Sequence, residues 1–281
     1  MNAAVILAAE AEKPSPFLVL LEHLVPHQYG WAPEWHLGPL NMTITNAVVN
    51  IWLAAFAVIF IFWIAASKPK LVPTGMQNAI EVATDFVKDN IIYAVMSPKD
   101  GRAWFPFIGT IFFFVFFMNA LGLIPYIGFT PTSNIWVTAT LALAVWLLAV
   151  MLGMIKHGPF TFWRKTLIPE GIPGKNPIVK GLATLFFLII ETISQIARPF
   201  SLAVRLFANM LADHVILLIF VGFIFLVGGG TFAIAHIAVV PVAMLLEVIF
   251  TAFGLFVAFI QAVIFAFLST IYINDALHPG H

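Results

Sequence analysis

Five long apolar stretches alternate with shorter polar segments along the chain, and this alternation predicts its elements. A helix crosses the roughly 30 Å hydrocarbon layer of a bilayer in about 20 residues. The pattern therefore predicts an all-α integral membrane protein with about five membrane-crossing helices. Their expected positions are residues 44–66, 104–124, 135–155, 178–226 and 232–272. Together these spans form a membrane domain over residues 44–272, between an external amino-terminal segment (1–43) and a carboxyl-terminal tail (273–281).

The last two apolar stretches are about twice as long as a perpendicular crossing needs. At about 1.5 Å per residue they would measure about 70 and 60 Å as helices. Each must therefore be steeply tilted, bent or split, and Pro199 could split the first of them. The sequence around this proline, "ARPFS", is too short and too apolar for a loop outside the membrane. We therefore predict two long, steeply tilted helices.

An amphipathic pattern lies in the polar segment between the first two spans. Ile80, Ala83, Val87 and Ile91 recur at helical spacing, while charged residues such as Asp85 take the other faces. This pattern favours a helix lying on the membrane surface. A helix packed on the soluble side of the protein would give the same pattern.

Composition supports a place in the membrane. Hydrophobic residues make up 62% of the chain, charged residues make up 9%, and the mean hydropathy is +1.02. The formal net charge is zero without long blocks of like charge, so nucleic acid is not an expected partner. The absence of cysteine excludes disulfides and thiolate chemistry. No metalloprotease, nucleotide-loop or nucleophile-elbow motif appears, so we expect neither a cofactor nor covalent catalysis by this polypeptide.

Lysine and arginine predict the orientation. Cytoplasmic loops of membrane proteins carry an excess of these residues. Two loops, at 67–103 and 156–180, hold most of them, whereas the opposite side holds only Lys13. We therefore expect the amino terminus outside and the carboxyl terminus in the cytoplasm.

Charged residues form a stripe on the fourth predicted helix. Glu191, Arg198 and Arg205 are spaced by seven residues and so share one face. Asn209 continues the stripe, and His214 points to the other side. Arg205 lies deep in the span with no acid three or four residues away, at a cost of at least about 2.5 kcal/mol on insertion scales. Such an arginine usually meets water or a carboxylate, and that carboxylate could come from Glu247 or from another subunit.

The fifth predicted helix carries a second stripe. Glu247, Gly254 and Gln261 are seven residues apart, and Gly254, Ala258 and Ala262 repeat small side chains every four residues. The small residues fit either close helix packing or a sliding surface with one polar contact. Glu191, Glu247 and His214 would be the titratable groups of a proton relay. Arg198 has the alternative of reaching the lipid headgroups.

The segment "RPFSLAVRLFANMLADH", with "FIQAVIFAFLSTIYIND" at 259–275 and "MNALGLIPYIGFTPTSN" at 118–134, resembles subunit a of the F-type ATP synthase. The likeness covers residues 40–275. It implies two long helices against a rotating ring of c subunits, with a mid-membrane carboxylate on each, and two offset half channels for protons. It also implies peripheral-stalk b subunits as partners and a bacterial inner membrane as location.

The resemblance also assigns roles to single residues. Arg205 matches the essential arginine, whose fixed charge would favour the ionised form of an arriving ring carboxylate and block direct proton leakage. Asn209 and Gln261 match polar positions near it. Glu191 matches an acid near the inner exit, and His214 matches a position in the outer channel. Residues beside these positions that could support them are Arg198, Asp213, Asn119 and Ser201.

Two positions depart from the family pattern. The family usually has Glu or His where this chain has Gly254, and our hypothesis is that Glu247, seven residues earlier on the same face, supplies the missing carboxylate. Near Asn119, a position that is acidic in some relatives is Gly122 here, which puts a proton-path role for Asn119 in doubt.

Two other functions are compatible with a polytopic membrane protein. A self-contained secondary transporter predicts inverted repeats and paired broken helices, and the sequence has neither. A membrane scaffold or assembly protein predicts tolerance of Arg205→Ala. The choice between proton and sodium would depend on the ring carboxylate site, which lies outside this chain.

Overall fold

The computed structural model describes residues 36–37, 40–41, 43–67, 70–124, 130–168, 177–228 and 233–279. Of the side chains in these ranges, those of 36–42, 177–178, 217–218, 220–228 and 233–240 are outside the description. Most of the predicted external segment 1–43 is therefore also outside it. The first described elements are two short antiparallel strands, β1 (His36–Leu37) and β2 (Leu40–Asn41).

Helices form nearly all of the remaining described chain, which confirms the all-α class. They are α1 (Asn46–Ser67), α2 (Met76–Val87), α3 (Pro98–Gly122), α4 (Ile135–His157), α5 (Pro159–Leu167), α6 (Pro177–Gly228) and α7 (Ala233–Leu277). A π-helical turn (Lys88–Ile92) follows α2, and a 3₁₀ turn (Pro131–Ser133) precedes α4. Within the described residues, five helices are long and apolar enough to cross a membrane: α1, α3, α4, α6 and α7.

The helix α6 is continuous through Pro199, so the alternative of two short helices is wrong. Proline removes one backbone hydrogen bond without ending the helix here, because many residues on either side keep theirs. With 52 and 45 residues, α6 and α7 measure about 78 and 68 Å. Both exceed the roughly 30 Å hydrocarbon layer more than twofold.

One contact shows how α6 fits a membrane despite its length. Arg198 lies 3.0 Å from Asp275, which is in the last turn of α7. Arg198 of α6 is therefore level with the last turn of α7, and residues 177–197 precede that point. The outer surface of this preceding part carries Leu182, Ile189 and Ile196, each more than half exposed. Such a surface suits lipid better than water, so contact with membrane lipid accommodates this part of α6.

The predicted amphipathic helix is present as α2 and the π turn. Val87 and Ile91 are buried, whereas Glu81, Asp85 and Asp89 are exposed. The apolar face therefore packs on the protein, and the acidic face is left open.

The chain divides into two compact units. The first consists of Met1–Ala54, Met118–Asn134 and Ala208–Ala258, and the second of Ala55–Phe117, Ile135–Phe207 and Phe259–His281. In the second unit, Phe259 packs edge-on against Phe112, with ring centroids 6.0 Å apart. In the first, Met118, Leu123 and Met210 are buried. Each unit contains part of the polar groups predicted from the sequence.

Candidate functional site

Arg205 is exposed on the surface of α6. Its guanidinium forms no salt bridge with any residue in the described part of the chain. A charge that faces outward from an apolar helix needs a partner beyond these residues, because an isolated charge is costly in hydrocarbon. The position of Arg205 therefore indicates a contact with water or with another molecule.

The face of α6 around Arg205 is lined by small side chains. Ala197, Ser201, Ala208 and Ala212 are all exposed and follow one another at helical spacing on the arginine side. The bulky exposed residues Ile193, Ile196 and Phe200 point to a different side of the helix. Small residues allow a neighbouring helix to approach closely. We call this surface, formed by residues 197, 201, 205, 208 and 212, the arginine face.

A charged cluster lies in the second unit, around the part of α6 that precedes Arg205 in the sequence. Arg198 Nη1 donates to Asp275 Oδ2 at 3.0 Å, and Arg198 Nη2 lies 3.6 Å from Glu191 Oε1. Gln195 donates from Nε2 to the same Glu191 oxygen at 3.0 Å. Glu191 and Arg198 thus share one face, as their spacing predicted. Arg198 pairs with two carboxylates, so its side chain does not extend alone to the lipid headgroups.

Gln261 is buried, with 4% of its surface exposed, and Ala262 beside it is completely buried. In the second unit Ala262 and Ala266 are both buried without residual exposure. The small residues on this part of α7 therefore serve close packing, which was the simpler of the two interpretations. No hydrogen bond joins Gln261 to Arg205 among the residues that the structure describes.

His214 forms a buried hydrogen-bonded cluster in the first unit. The backbone N–H of Thr130 donates to His214 Nε2 at 2.8 Å, and Thr130 Oγ1 lies 2.9 Å from the same nitrogen. An imidazole nitrogen that accepts an N–H donor carries no proton. The neutral ring therefore holds its proton on Nδ1.

Asn119 lies on the same side of the first unit and is fully buried. Thr132 Oγ1 donates to Asn119 Oδ1 at 2.6 Å, and Asn119 Nδ2 has no hydrogen-bond partner among the described residues. A Cβ added at Gly122 would collide with Thr130. The acid that some relatives have at this position therefore has no room here, because the threonine that binds His214 occupies the space.

The space next to Gly254 is also occupied. A Cβ at this glycine would lie 2.9 Å from Leu123 Cδ2 and 3.8 Å from Asp213 Oδ2. The Asp213 oxygen is buried and has no hydrogen-bond partner within the described residues. Asp213 is thus a carboxylate that lies beside Gly254.

Glu247 is half-buried, and its side chain forms no hydrogen bond or salt bridge with the residues described. Its backbone carbonyl accepts the Thr251 hydroxyl at 2.8 Å. The structure does not bring Glu247 to Gly254, which lies two helical turns away on the same helix. Asn209 is half-exposed on α6, one turn beyond Arg205.

Sequence reasoning missed several polar partners in these clusters. Thr130 lies in the segment "MNALGLIPYIGFTPTSN", but an uncharged side chain gave no signal of a functional partner. Asp275 ends the quoted segment "YIND", and an acid in the last turn of an apolar helix was a usable signal for the partner of Arg198. Within the described residues, no group of three or more His, Asp or Glu side chains could hold a metal ion.

The fold and these clusters define a class, namely an all-α multi-pass membrane protein with ionisable groups inside its long crossing helices. The family model described as ATP synthase A chain matches residues 48–274. The chain belongs to this family.

Curated relatives agree with the family assignment. ATP synthase subunit a of Beijerinckia indica is 40% identical over 267 residues, which cover 91% of this chain and 99% of the relative. The subunit of Chelativorans sp. is 42% identical and covers 87% of this chain and 93% of the relative. That of Magnetococcus marinus is 38% identical over 99% of this chain and 97% of the relative.

Proposed function

We propose that this chain is the stator subunit that conducts protons in the membrane sector of an ATP synthase. Membership of the ATP synthase A chain family links it to ATP synthesis and to proton transport across a membrane. The observation that carries the mechanism is the arginine face, where a permanent charge is exposed among small side chains on an apolar helix. This polypeptide performs no covalent step. It moves protons to and from a partner that turns.

The partner on the arginine face is a ring of c subunits, each with one carboxylate at mid-membrane. Small side chains let the ring helices pass close to α6. Arg205 favours the ionised form of each arriving carboxylate, so the proton leaves it. The same charge repels a proton that would pass directly along α6. Protons therefore cross only when the ring carries them.

The outer half channel uses His214 and Asp213 in the first unit. His214 Nε2 is buried against Thr130, and the buried Asp213 Oδ2 has no hydrogen-bond partner among the described residues. Ionisable groups inside a membrane span commonly mark proton paths. For the acid of this path we favour Asp213, because it lies beside Gly254, and Glu247 stays the alternative that the sequence suggests. Asn119 and Thr132 support the position of the 130–133 segment.

The inner half channel uses Glu191 in the second unit. Arg198 and Gln195 hold this carboxylate on one side of α6, below Arg205. Asn209, one turn beyond Arg205 on α6, and Gln261 of α7 are further polar groups that we assign to the proton path. The basic loops face the cytoplasm, the amino terminus is outside, and the whole complex lies in a bacterial inner membrane with b subunits as its peripheral stalk.

Arg205→Ala in the whole complex tests this function. Removing the charge leaves nothing to discharge the ring carboxylate, so proton-driven ATP synthesis in vesicles should fall below about one hundredth of that of the unmodified complex. Arg164→Ala, at an exposed arginine of α5 outside the site, is the matched control and should retain synthesis. Normal coupled synthesis in Arg205→Ala would refute the mechanism and favour a scaffold role.

A further inference from the structure

The turn that precedes α4 is tied to two helix segments within the first unit. Thr132 Oγ1 donates to Asn119 Oδ1 of α3 at 2.6 Å, and the backbone N–H of Thr130 donates to His214 Nε2 of α6 at 2.8 Å. Ser133 closes the turn, because its hydroxyl donates to the Thr130 carbonyl at 2.7 Å. His214 is therefore one end of a hydrogen-bonded link that runs from α6 through the turn to α3.

Close packing holds the turn and the imidazole in place. A Cβ at Gly122, the last residue of α3, would collide with Thr130, so the glycine allows the turn to lie against this helix end. Thr130 is 2% exposed and His214 is 8% exposed. The N–H of Thr130 therefore has a fixed direction, and the imidazole that accepts from it has little room to rotate away.

The hydrogen bond from Thr130 occupies the one lone pair that Nε2 of His214 offers. To carry a proton, an imidazole either becomes doubly protonated or takes up a proton at one nitrogen while it releases another. Both routes put an N–H on Nε2, opposite the N–H of Thr130. Thr130 Oγ1, at 2.9 Å, can accept from this new N–H, but the buried backbone N–H then loses its acceptor. Proton uptake by His214 therefore breaks a buried hydrogen bond.

The neighbouring residue, Asp213, is free of this constraint. It is half-buried, and its buried Oδ2 has no hydrogen-bond partner among the described residues. A carboxylate oxygen in this state takes up a proton without breaking a hydrogen bond to the protein. The ionisable side chains described in the first unit are Asp213, His214 and Glu247, and Asp213 is next to His214 in the chain. An open carboxylate thus adjoins an imidazole whose Nε2 is already engaged.

We propose that His214 stays neutral during turnover and is a positioning residue that ties α6 to the turn, while Asp213 carries the proton of the outer path. The backbone N–H of Thr130 is the group that keeps the imidazole neutral. The inference rests on the proposed function. An O–H bond forms on Asp213 when a proton arrives from outside, and it breaks when that proton passes to a c-subunit carboxylate. The N–H bond of the His214 imidazole stays intact throughout.

Two substitutions at His214 separate a positioning residue from a proton carrier. In His214→Gln the amide oxygen accepts from the Thr130 N–H, but the side chain takes up no proton. Proton-driven ATP synthesis in vesicles, corrected for the amount of complex, should fall less than about threefold. In His214→Leu the acceptor is lost as well, and synthesis should fall about tenfold or more. Equal losses in both variants, or normal synthesis in both, would overturn the inference.

Nuclear magnetic resonance of the unmodified complex measures the protonation of His214 without any substitution. Asp213 and His214 form the only Asp–His step in the chain, so aspartate labelled with ¹³C at the carbonyl and ¹⁵N-labelled histidine together select it. An ordinary histidine, with a pKa of about 6.5, is almost entirely doubly protonated at about pH 5. We expect His214 to keep its neutral form, with the proton on Nδ1, at about pH 8 and at about pH 5. A doubly protonated imidazole at about pH 5 would refute the proposal, even if the glutamine variant does not assemble.

Thr130→Pro tests the group that keeps the imidazole neutral. Proline has no backbone N–H, and its φ of about −65° is close to the −84° of Thr130. Without this N–H, Nε2 is open to a proton, so His214 should become doubly protonated at about pH 5. Thr130→Ser keeps both the N–H and the hydroxyl, and there the imidazole should stay neutral. A neutral imidazole in Thr130→Pro would overturn the role of Thr130.

The outcome for the proposed function is separate. If Arg205→Ala abolishes coupling while His214 of the unmodified complex is doubly protonated at about pH 5, this inference alone fails. If Arg205→Ala retains coupling, the proposed function fails, whatever the protonation of His214.

Discussion

At the residue scale, the helix face of a polar residue follows from the sequence, whereas its partners on neighbouring helices do not. The seven-residue spacing correctly placed Glu191 and Arg198 on one face, because helix periodicity fixes direction. The spacing could not reveal that Asp275, 77 residues away, pairs with Arg198. It also suggested Glu247 as the substitute for the acid missing at Gly254. The structure instead has Asp213 beside this glycine, since neighbours in space depend on how two helices pack.

The competition between Asp213 and Glu247 gives a direct prediction. Asp213→Asn should lower proton-driven ATP synthesis about tenfold or more, because a buried group on the outer path loses its capacity to take up a proton. Glu247→Gln should change synthesis less than about twofold, since its side chain forms no hydrogen bond or salt bridge with the described residues. Synthesis rates in vesicles, corrected for the amount of complex, measure both. A large loss in Glu247→Gln with a normal Asp213→Asn would restore the sequence-based assignment.

At the element scale, the number and type of the crossing helices were predictable, because runs of apolar residues report length directly. The sequence favoured an α6 that continues through Pro199, but it did not require this continuity. Proline weakens a helix by about 3 kcal/mol, and only the flanking structure decides whether the helix survives. The turn from α4 into α5 needs Gly158, whose φ of 78° lies in the left-handed region.

The packing of α5 on α4 predicts a sharp difference between two glycines. A Cβ at Gly153 of α4 would collide with the buried ring of Phe162, whereas a Cβ at Gly181 of α6 would meet nothing within 4 Å. Gly153→Ala should therefore destabilise the chain by about 1–3 kcal/mol. Gly181→Ala should be neutral or stabilise by up to about 1 kcal/mol. Thermal stability of the purified complex measures both. Equal stability of the two variants would show that Phe162 yields without cost.

At the scale of the whole molecule, the chain has polar groups in two separate units and an exposed arginine, Arg205, deep within a helix that both units share. A self-sufficient transporter would surround its charge with its own side chains. Here Arg205 has no salt-bridge partner among the described residues and is surrounded by small side chains. From the cost of the charge, the sequence predicted that Arg205 meets water or a carboxylate, either from Glu247 or from another subunit. Its contact surface, the arginine face, could be outlined only from the exposure of individual residues.

Cross-linking between this surface and the ring tests the central claim most directly. The chain contains no cysteine, so single cysteines can be introduced at Ser201 on the arginine face and at Ile196, about 140° away on the same helix. With a cysteine beside the ring carboxylate, Ser201→Cys should form a disulfide-linked product with a c subunit in intact membranes, and Ile196→Cys should not. A product from Ile196→Cys alone would mean that Arg205 does not face the ring, and would contradict the account.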